Sequence, residues 1–250
     1  MPDREESTDN LRGSCFIVGA PIEERDDITQ RAIRVLQSVD LVITSNDRYA
    51  AGLLKRFALS KRLLGISEEI ENDVVEITLE ALSKEKRIAI LSDPSFRFSI
   101  PISNLIAAVR DAGLEPRVIP GVDLVATALA MSGFDSQSYS VVGVLPARRE
   151  ARDSFVGLLT NRPETIVVPG GTSRIQPSLL ALAGKMPNRK ATLILRPTVP
   201  GETIMRGTLS SIAHQFANKR FNGHYIIVLA PDFVEESDQQ TSYKRSRKYD

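Results

Sequence analysis

The stretch CFIVGAPIEERDDITQRAIRVLQSVDLVIT, residues 15–44, decides the fold of this chain. It opens with a short apolar run, which Gly19 and Pro21 end, because proline donates no hydrogen bond to a strand ladder. Asp26 or Asp27 then starts a predicted amphipathic helix, and a second apolar run follows it. The apolar helix positions recur at helical spacing: Ile28, Ala32, Ile33, Val35, Leu36 and Val39. The loop after the first run therefore lies at the carboxyl end of a strand, where open α/β sheets bind ligands.

Strand and helix patterns alternate beyond this unit, which predicts an α/β fold with a mostly parallel N-terminal sheet. A polar run after Phe134 marks a boundary, and the sequence from residue 232 is charged and poor in apolar residues, which is typical of a disordered tail. The predicted parts are a flexible arm, an N-terminal α/β lobe, a C-terminal α/β lobe and the charged tail, at 1–14, 15–134, 135–231 and 232–250.

Composition narrows the function classes. The 250 residues are 42% hydrophobic and 25% charged, as in soluble globular proteins, and the net charge of +1 means that any RNA contact must come from local patches. One cysteine, Cys15, and two histidines make a zinc site improbable, and we expect no metal. Cys15 lies in an apolar run and is interpreted as a buried structural thiol. Neither a signal peptide nor a transmembrane stretch is visible, so we expect a cytoplasmic protein without a membrane contact.

Three later segments carry a resemblance to a known family. They read SDPSFRFSIP, VIPGVDLVATALAMSG and GETIMRGTLSSIA, at 92–101, 118–133 and 201–213. Together with the first stretch they resemble the tetrapyrrole methylase superfamily, and within it the group of ribosomal RNA small subunit methyltransferases I. The resemblance covers residues 15–231. It implies two α/β lobes, the second with a mixed sheet, and a cofactor cleft between them. It also implies a homodimer that uses S-adenosyl-L-methionine to methylate a cytidine ribose 2′-hydroxyl in small-subunit ribosomal RNA.

The resemblance also implies a set of cofactor-binding residues. They occupy positions similar to the cofactor-lining loops of the family: Pro21, Ser92, Asp93, Phe96, Asp123 and Leu124. Asp93 could accept hydrogen bonds from the ligand, although Asp93 and Pro94 could equally form a simple turn. Asp123 could equally be only a helix cap. The ring of Phe96 could stack on an adenine or fill the pocket and exclude it.

Catalytic and substrate residues follow from the same comparison. Arg48 and Glu202 match polar family positions beside the expected cleft, Arg48 to hold a phosphate and Glu202 to orient substrate; a surface ion pair is the competing interpretation of each. The expected RNA-binding residues are Arg148, Arg149, Arg152 and Arg206. Arginines neutralise phosphates, but the first three could equally be a solvated helix start.

Two departures from the family pattern keep other functions open. The segment 92–101 has none of the glycines found in the family, and Ser45-Asn46-Asp47-Arg48 retains only the arginine of the family's Glu-Asp-Thr-Arg. One alternative is a non-catalytic relative that acts as an RNA or protein binding module. Another is a methylase of a tetrapyrrole or another small molecule.

Overall fold

The computed structural model describes residues 14–92, 100–171, 174–217, 219–221 and 223–232. Within them the chain forms two compact units. The first takes the chain up to Thr127 together with Pro197–Gly201, and the second takes the remainder. Apart from Ser14 and Asp232, the predicted arm and tail lie outside the described residues. The predicted lobe boundary at 134/135 remains a prediction.

The first unit contains, in its described part, a five-stranded parallel sheet in the order β3-β2-β4-β1-β5. Its strands are β1 (Cys15–Val18), β2 (Leu41–Thr44), β3 (Arg62–Gly65), β4 (Ile88–Leu91) and β5 (Arg117–Ile119). Its helices are α1 (Gln30–Ser38), α2 (Asp47–Arg56), α3 (Glu71–Ser83), α4 (Ile100–Asp111) and α5 (Leu124–Ser132), the last of which continues into the second unit. The prediction of an α/β fold with a parallel N-terminal sheet is confirmed.

Strands β1, β2 and β4 are buried on both faces, as parallel sheets covered by helices are. Alternate residues enter two separate cores. Phe16 and Val18 pack in the core that includes α1 and α2, whereas Cys15 and Ile17 pack in the core that includes α3 and α4. Cys15 is 3% exposed, which confirms the interpretation as a buried thiol.

The strand order places a topological switch at β1. The chain leaves β1 through α1 towards β2 on one side, and it leaves β4 through α4 towards β5 on the other side. Ligands of open α/β sheets bind outside the carboxyl ends of strands at such a point. We therefore expect a ligand site at the loops that follow β1, β4 and β5.

The helix after β1 begins later than predicted. Arg25–Asp27 form a separate short 3-10 helix, Ile28 returns to an extended backbone, and α1 begins at Gln30. The N-cap is Thr29, whose hydroxyl accepts a hydrogen bond from the Ala32 N–H at 3.1 Å. Asp26 and Asp27 are thus not the start of α1, because the threonine supplies the acceptor that a helix start requires.

The second unit contains, in its described part, a mixed sheet in the order β6-β7-β10-β8-β9. Its strands are β6 (Tyr139–Val141), β7 (Thr165–Gly170), β8 (Lys190–Leu195), β9 (Thr203–Thr208) and β10 (Tyr225–Leu229), and its helices are α6 (Arg149–Leu159), α7 (Ile175–Lys185) and α8 (Leu209–Phe216). Only β6 and β7 pair in parallel; the other described pairs are antiparallel. All three helices contribute to one core against the sheet. The expected mixed C-terminal sheet is confirmed.

The segment Pro197–Gly201 joins β8 to β9 of the second unit but belongs to the first unit by its contacts. Within that unit, the Glu24 N–H donates to the hydroxyl of Thr198 at 3.3 Å. Thr198 and Arg196 adopt positive φ angles of 71° and 51°, which side chains other than glycine rarely do. The first unit is therefore discontinuous in sequence.

A search of the described residues finds no helix long and apolar enough to cross a membrane.

Candidate functional site

The loops after β1, β4 and β5 are joined by backbone contacts at the carboxyl edge of the parallel sheet. The Gly19 N–H donates to the Ile119 carbonyl at 2.9 Å, and the Ser92 N–H donates to the Val18 carbonyl at 2.9 Å. A Cβ on Gly121 would stand 2.9 Å from the Gly19 carbonyl oxygen, so the loop after β5 touches the loop after β1 through backbone alone. The three loops thus form one connected surface at the switch point.

Ser92 joins this surface from the end of β4. Its side chain is buried, at 2% exposure, and its Oγ accepts a hydrogen bond from the Ala20 N–H at 3.4 Å. The hydroxyl gives this buried backbone N–H a hydrogen-bond acceptor. Without one, burial of the N–H would destabilise the folded state. The structure therefore gives Ser92 a definite role in shaping the first loop.

Pro21 lies in the same loop and is buried. Its carbonyl accepts a hydrogen bond at 2.7 Å from the hydroxyl of Tyr49 on α2. Burial raises the pKa of this hydroxyl well above its usual range, so Tyr49 stays protonated and remains a donor. Tyr49 was not among the predicted site residues, because only the packing of α2 brings its ring to the loop.

Glu23, two residues further along this loop, is the second site residue that the sequence did not predict. Its Oε1 is buried, and no group in the described part of the chain donates a hydrogen bond to it. A buried carboxylate oxygen without a donor is costly. This oxygen is therefore an acceptor available to a ligand that brings its own hydroxyl or ammonium group.

Asp123 and Leu124 lie at the start of α5. Asp123 is exposed, and its Oδ1 accepts a hydrogen bond from the Ala126 N–H at 2.8 Å, which makes it a helix cap. Leu124 is half-buried. Capping uses one carboxylate oxygen and does not prevent the other from contacting a ligand. Two further predicted cofactor residues, Asp93 and Phe96, lie outside the described residues.

The two predicted catalytic residues belong to different units. Arg48 lies in the first turn of α2 and is exposed, and none of the ion pairs among the described residues involves it. Glu202 is exposed and directly precedes β9 in the second unit. The ion-pair interpretation of Arg48 therefore has no support in the described part of the chain.

The three arginines around the start of α6 differ in their surroundings. Arg148 is exposed at the N-cap position, and Arg149 is exposed with its Nε 3.6 Å from the Asp153 carboxylate. Arg152 is half-buried, and its Nη1 donates to the Ala147 carbonyl at 2.9 Å. Its Nε is buried and has no acceptor among the described groups. Arg148 and Arg149 are thus the more accessible cations, and Arg152 also stabilises the turn before the helix.

Arg206 lies on β9 with an exposed side chain, and its Nη2 donates to the Met131 carbonyl at 2.6 Å. This bond fixes the guanidinium beside the last turn of α5, where cations are favoured.

A search of the described residues for metal sites finds no group of three or more His, Cys, Asp or Glu side chains.

Residues 14–213 match the family of Tetrapyrrole (Corrin/Porphyrin) Methylases. The chain belongs to this family and is a methyltransferase. Among curated proteins it is similar to the ribosomal RNA small subunit methyltransferase I of Escherichia coli, at 29% identity over 94% of this chain and 84% of that protein. The protein of the same name from Thermotoga maritima is 28% identical over 87% of this chain and 98% of its own length.

Solved structures show the same fold at lower sequence identity. A diphthine synthase superposes with a TM-score of 0.67 at 14% identity, covering 86% of this chain and 89% of that one. A cobalamin biosynthetic enzyme, cobalt precorrin-4 methyltransferase, superposes with a TM-score of 0.65 at 17% identity, covering 87% of this chain and 95% of that one. These likenesses support the family assignment at the level of the fold.

Proposed function

We propose that this methyltransferase uses S-adenosyl-L-methionine to methylate small-subunit ribosomal RNA, at the ribose 2′-hydroxyl of a cytidine. The names of the relatives from E. coli and T. maritima support the choice of ribosomal RNA. The observation that carries the proposal is the connected loop surface at the switch point, with the unpartnered oxygen of Glu23 in its first loop.

The residues present suit an adenosyl sulfonium ligand. Such a ligand offers ribose hydroxyls and an ammonium group as donors, and Glu23 supplies a carboxylate oxygen that lacks one. Close backbone packing between Gly19 and Gly121 provides a rigid wall without side chains. The cofactor itself supplies the methyl group, and the loops bind and orient it.

We assign the cofactor contacts to the predicted residues together with those that the structure adds. The first loop contributes Pro21 and Glu23, with Tyr49 holding the Pro21 carbonyl in place. The loop after β4 contributes Ser92, followed by Asp93 and Phe96, and the start of α5 contributes Asp123 and Leu124.

Methyl transfer requires the ribose hydroxyl to lie in line with the sulfonium methyl, and positioning supplies most of the rate enhancement. We propose that Arg48 binds a phosphate of the RNA and that Glu202 orients the target ribose or accepts its proton. Arg148, Arg149, Arg152 and Arg206 are proposed to bind further phosphates. We further propose a homodimer, which the family resemblance implies, and a cytoplasmic location, because the substrate would be a ribosomal subunit.

The first experiment is calorimetric titration with S-adenosyl-L-methionine and with its demethylated product. We expect micromolar binding in the wild type, weaker binding in Glu23→Gln and Asp93→Ala, and unchanged binding in Glu68→Gln, which alters an exposed carboxylate. Transfer of a labelled methyl group to small ribosomal subunits, followed by mapping of the modified ribose, identifies the substrate. If neither ligand binds, the proposal is wrong, and the alternative of a non-catalytic binding module takes its place.

A further inference from the structure

The second unit contains a cavity of about 250 Å³ that the predicted cofactor residues do not line. Its lining residues are Phe134, Lys190, Ala191, Arg206, Gly207 and Thr208. They come from the loop after α5, from the start of β8 and from the end of β9. Lys190 and Thr208 pair across the two strands, as do Ala191 and Gly207. The cavity thus lies at one end of the mixed sheet, where paired strands hold its walls.

The wall of this cavity is almost wholly apolar, and the charged residues among its lining, Lys190 and Arg206, are both cationic. Lys190 and Arg206 are exposed, and no acidic side chain is among the described residues that line it. The Nη2 of Arg206 donates to the Met131 carbonyl at 2.6 Å, so the guanidinium is held in place. A guanidinium has five N–H groups, and this bond uses one of them. The two exposed cations are therefore suited to an anionic group attached to an apolar ligand in the cavity.

Apolar groups form the wall of the cavity. Phe134 presents an aromatic ring that is half-buried, and the small residues Ala191 and Gly207 leave room beside it. A Cβ on Gly207 would lie 2.6 Å from the hydroxyl oxygen of Ser211, which would have to rotate away. The volume lies below the range of about 300–1,000 Å³ usual for drug-sized ligands. One planar ring with an attached anionic group matches this size better than a large cofactor.

We propose that this cavity binds one unpaired nucleotide of the RNA substrate, with the base against Phe134 and the adjoining phosphate on Lys190 and Arg206. The inference rests on the proposed function and adds a subsite to it. Proteins recognise single-stranded RNA by stacking bases on aromatic rings and pairing phosphates with cations. An acidic peptide would satisfy the cations but would leave the aromatic wall unused, so the combination favours RNA.

The test is fluorescence anisotropy with a labelled single-stranded RNA of about ten nucleotides, within the range of single-strand site sizes. Phe134→Leu is expected to weaken binding about 5- to 150-fold at every salt concentration, as loss of one base stack does. Lys190→Gln is expected to weaken binding and to reduce the slope of log affinity against log salt by about 1. Lys185→Gln, at the exposed end of α7, is the matched control and should change neither quantity.

Phe134→Tyr keeps an aromatic ring and should bind with nearly wild-type affinity. Thermal unfolding of Phe134→Leu checks that its loss of affinity does not come from a loss of structure. Equal affinity of wild type, Phe134→Leu and Lys190→Gln would overturn the proposal. So would displacement of the RNA by polyglutamate as readily as by unlabelled RNA, since that result identifies an acidic peptide site. An assay of methyl transfer to small ribosomal subunits separates the two proposals. Variants that bind RNA normally while the wild type methylates subunits refute the subsite alone, and a wild type that methylates no RNA refutes the proposed function.

Discussion

Gly121 lies so close to Gly19 that a Cβ on Gly121 would stand 2.9 Å from the Gly19 carbonyl oxygen. The partner atom belongs to the backbone, so no side chain can rotate away to make room. The loops after β1 and β5 therefore keep their spacing only while this position is glycine.

Gly121→Ala should push these loops apart. The free energy of unfolding should fall by about 1–3 kcal/mol, which is the usual cost of overpacking. It should also weaken binding of S-adenosyl-L-methionine. Urea unfolding and calorimetric titration measure the two effects. Gly157→Ala is the control: its added Cβ meets no atom within 4 Å, and it lies in helix α6. It should leave ligand binding intact and raise stability by up to about 1 kcal/mol. An alanine at Gly121 that binds ligand normally would contradict the loop contact.

Gly170 should tolerate no side chain, because an added Cβ would overlap the ring of Tyr225, its partner across β7 and β10. Gly170→Ala is expected to lower the melting temperature strongly. The loss should be much smaller in a Tyr225→Leu background, because the ring that causes the overlap is gone. A double-mutant cycle by thermal unfolding measures this coupling. Additive losses would show that the ring is not the obstacle.

Tyr225→Phe should cost about 1 kcal/mol, the usual net value of one hydrogen bond. The hydroxyl of Tyr225 lies 3.1 Å from the Oγ of Ser178 in a buried pair. Deleting one hydroxyl leaves the other without its partner. Urea unfolding of Tyr225→Phe, Ser178→Ala and the double variant tests the pair, and the double variant should lose less than the sum of the single losses.

Arg189→Met should destabilise the second unit by about 3 kcal/mol, since hydrogen bonds of a charged group contribute about 1.5–3 kcal/mol each and methionine regains part of the packing. Arg189 is buried, with Nε donating to the Ala230 carbonyl and Nη2 to the Glu164 carbonyl, both at 2.8 Å. The matched control is Arg162→Met, since Arg162 is exposed and lies 3.8 Å from the Glu164 carboxylate. The control should cost less than about 1 kcal/mol. Equal losses in both variants would refute the role of the buried guanidinium.

The buried thiol of Cys15 should make the free energy of unfolding fall as the pH rises through the alkaline range. Burial raises the pKa of its thiol to about 12, whereas the pKa of an unfolded thiol is about 8.5. The unfolded chain thus releases this proton first, so the contribution of Cys15 is complete below about pH 8.5 and falls by about 1.4 kcal/mol per pH unit up to the folded pKa. The difference between wild type and Cys15→Ala across this range isolates the effect from other titrating groups. Parallel pH profiles would show that the thiol is accessible in the folded state.

The parallel sheet was predictable because its three central strands are continuous apolar runs, which only a sheet covered on both faces buries. Strands β3 and β9 were not predicted. In the described structure both lie at sheet edges and are partly exposed, so Arg62–Gly65 and Thr203–Thr208 lack a fully apolar pattern. The early helix start was wrong because acidic residues favour a first turn but do not fix which residue caps it.

The candidate site was predictable only in part. Pro21 and Ser92 follow apolar strands, so their place at the carboxyl edge could be inferred from the chain. The contributions of Glu23 and Tyr49 depend on packing, because burial of one carboxylate oxygen and the approach of one hydroxyl are tertiary events. The cavity beside Phe134 in the second unit is lined by residues from three separate segments, and no local sequence pattern predicts that they come together.

The discontinuous first unit has a consequence for the growing polypeptide. The segment Pro197–Gly201, whose Thr198 accepts from the Glu24 N–H, is translated after strands β6, β7 and β8 of the other unit. A nascent chain therefore cannot complete its amino-terminal half before much of the carboxyl-terminal half has left the ribosome. Proteins commonly finish one domain at a time during synthesis, whereas the first unit here receives its last segment only after three strands of the second unit have been translated.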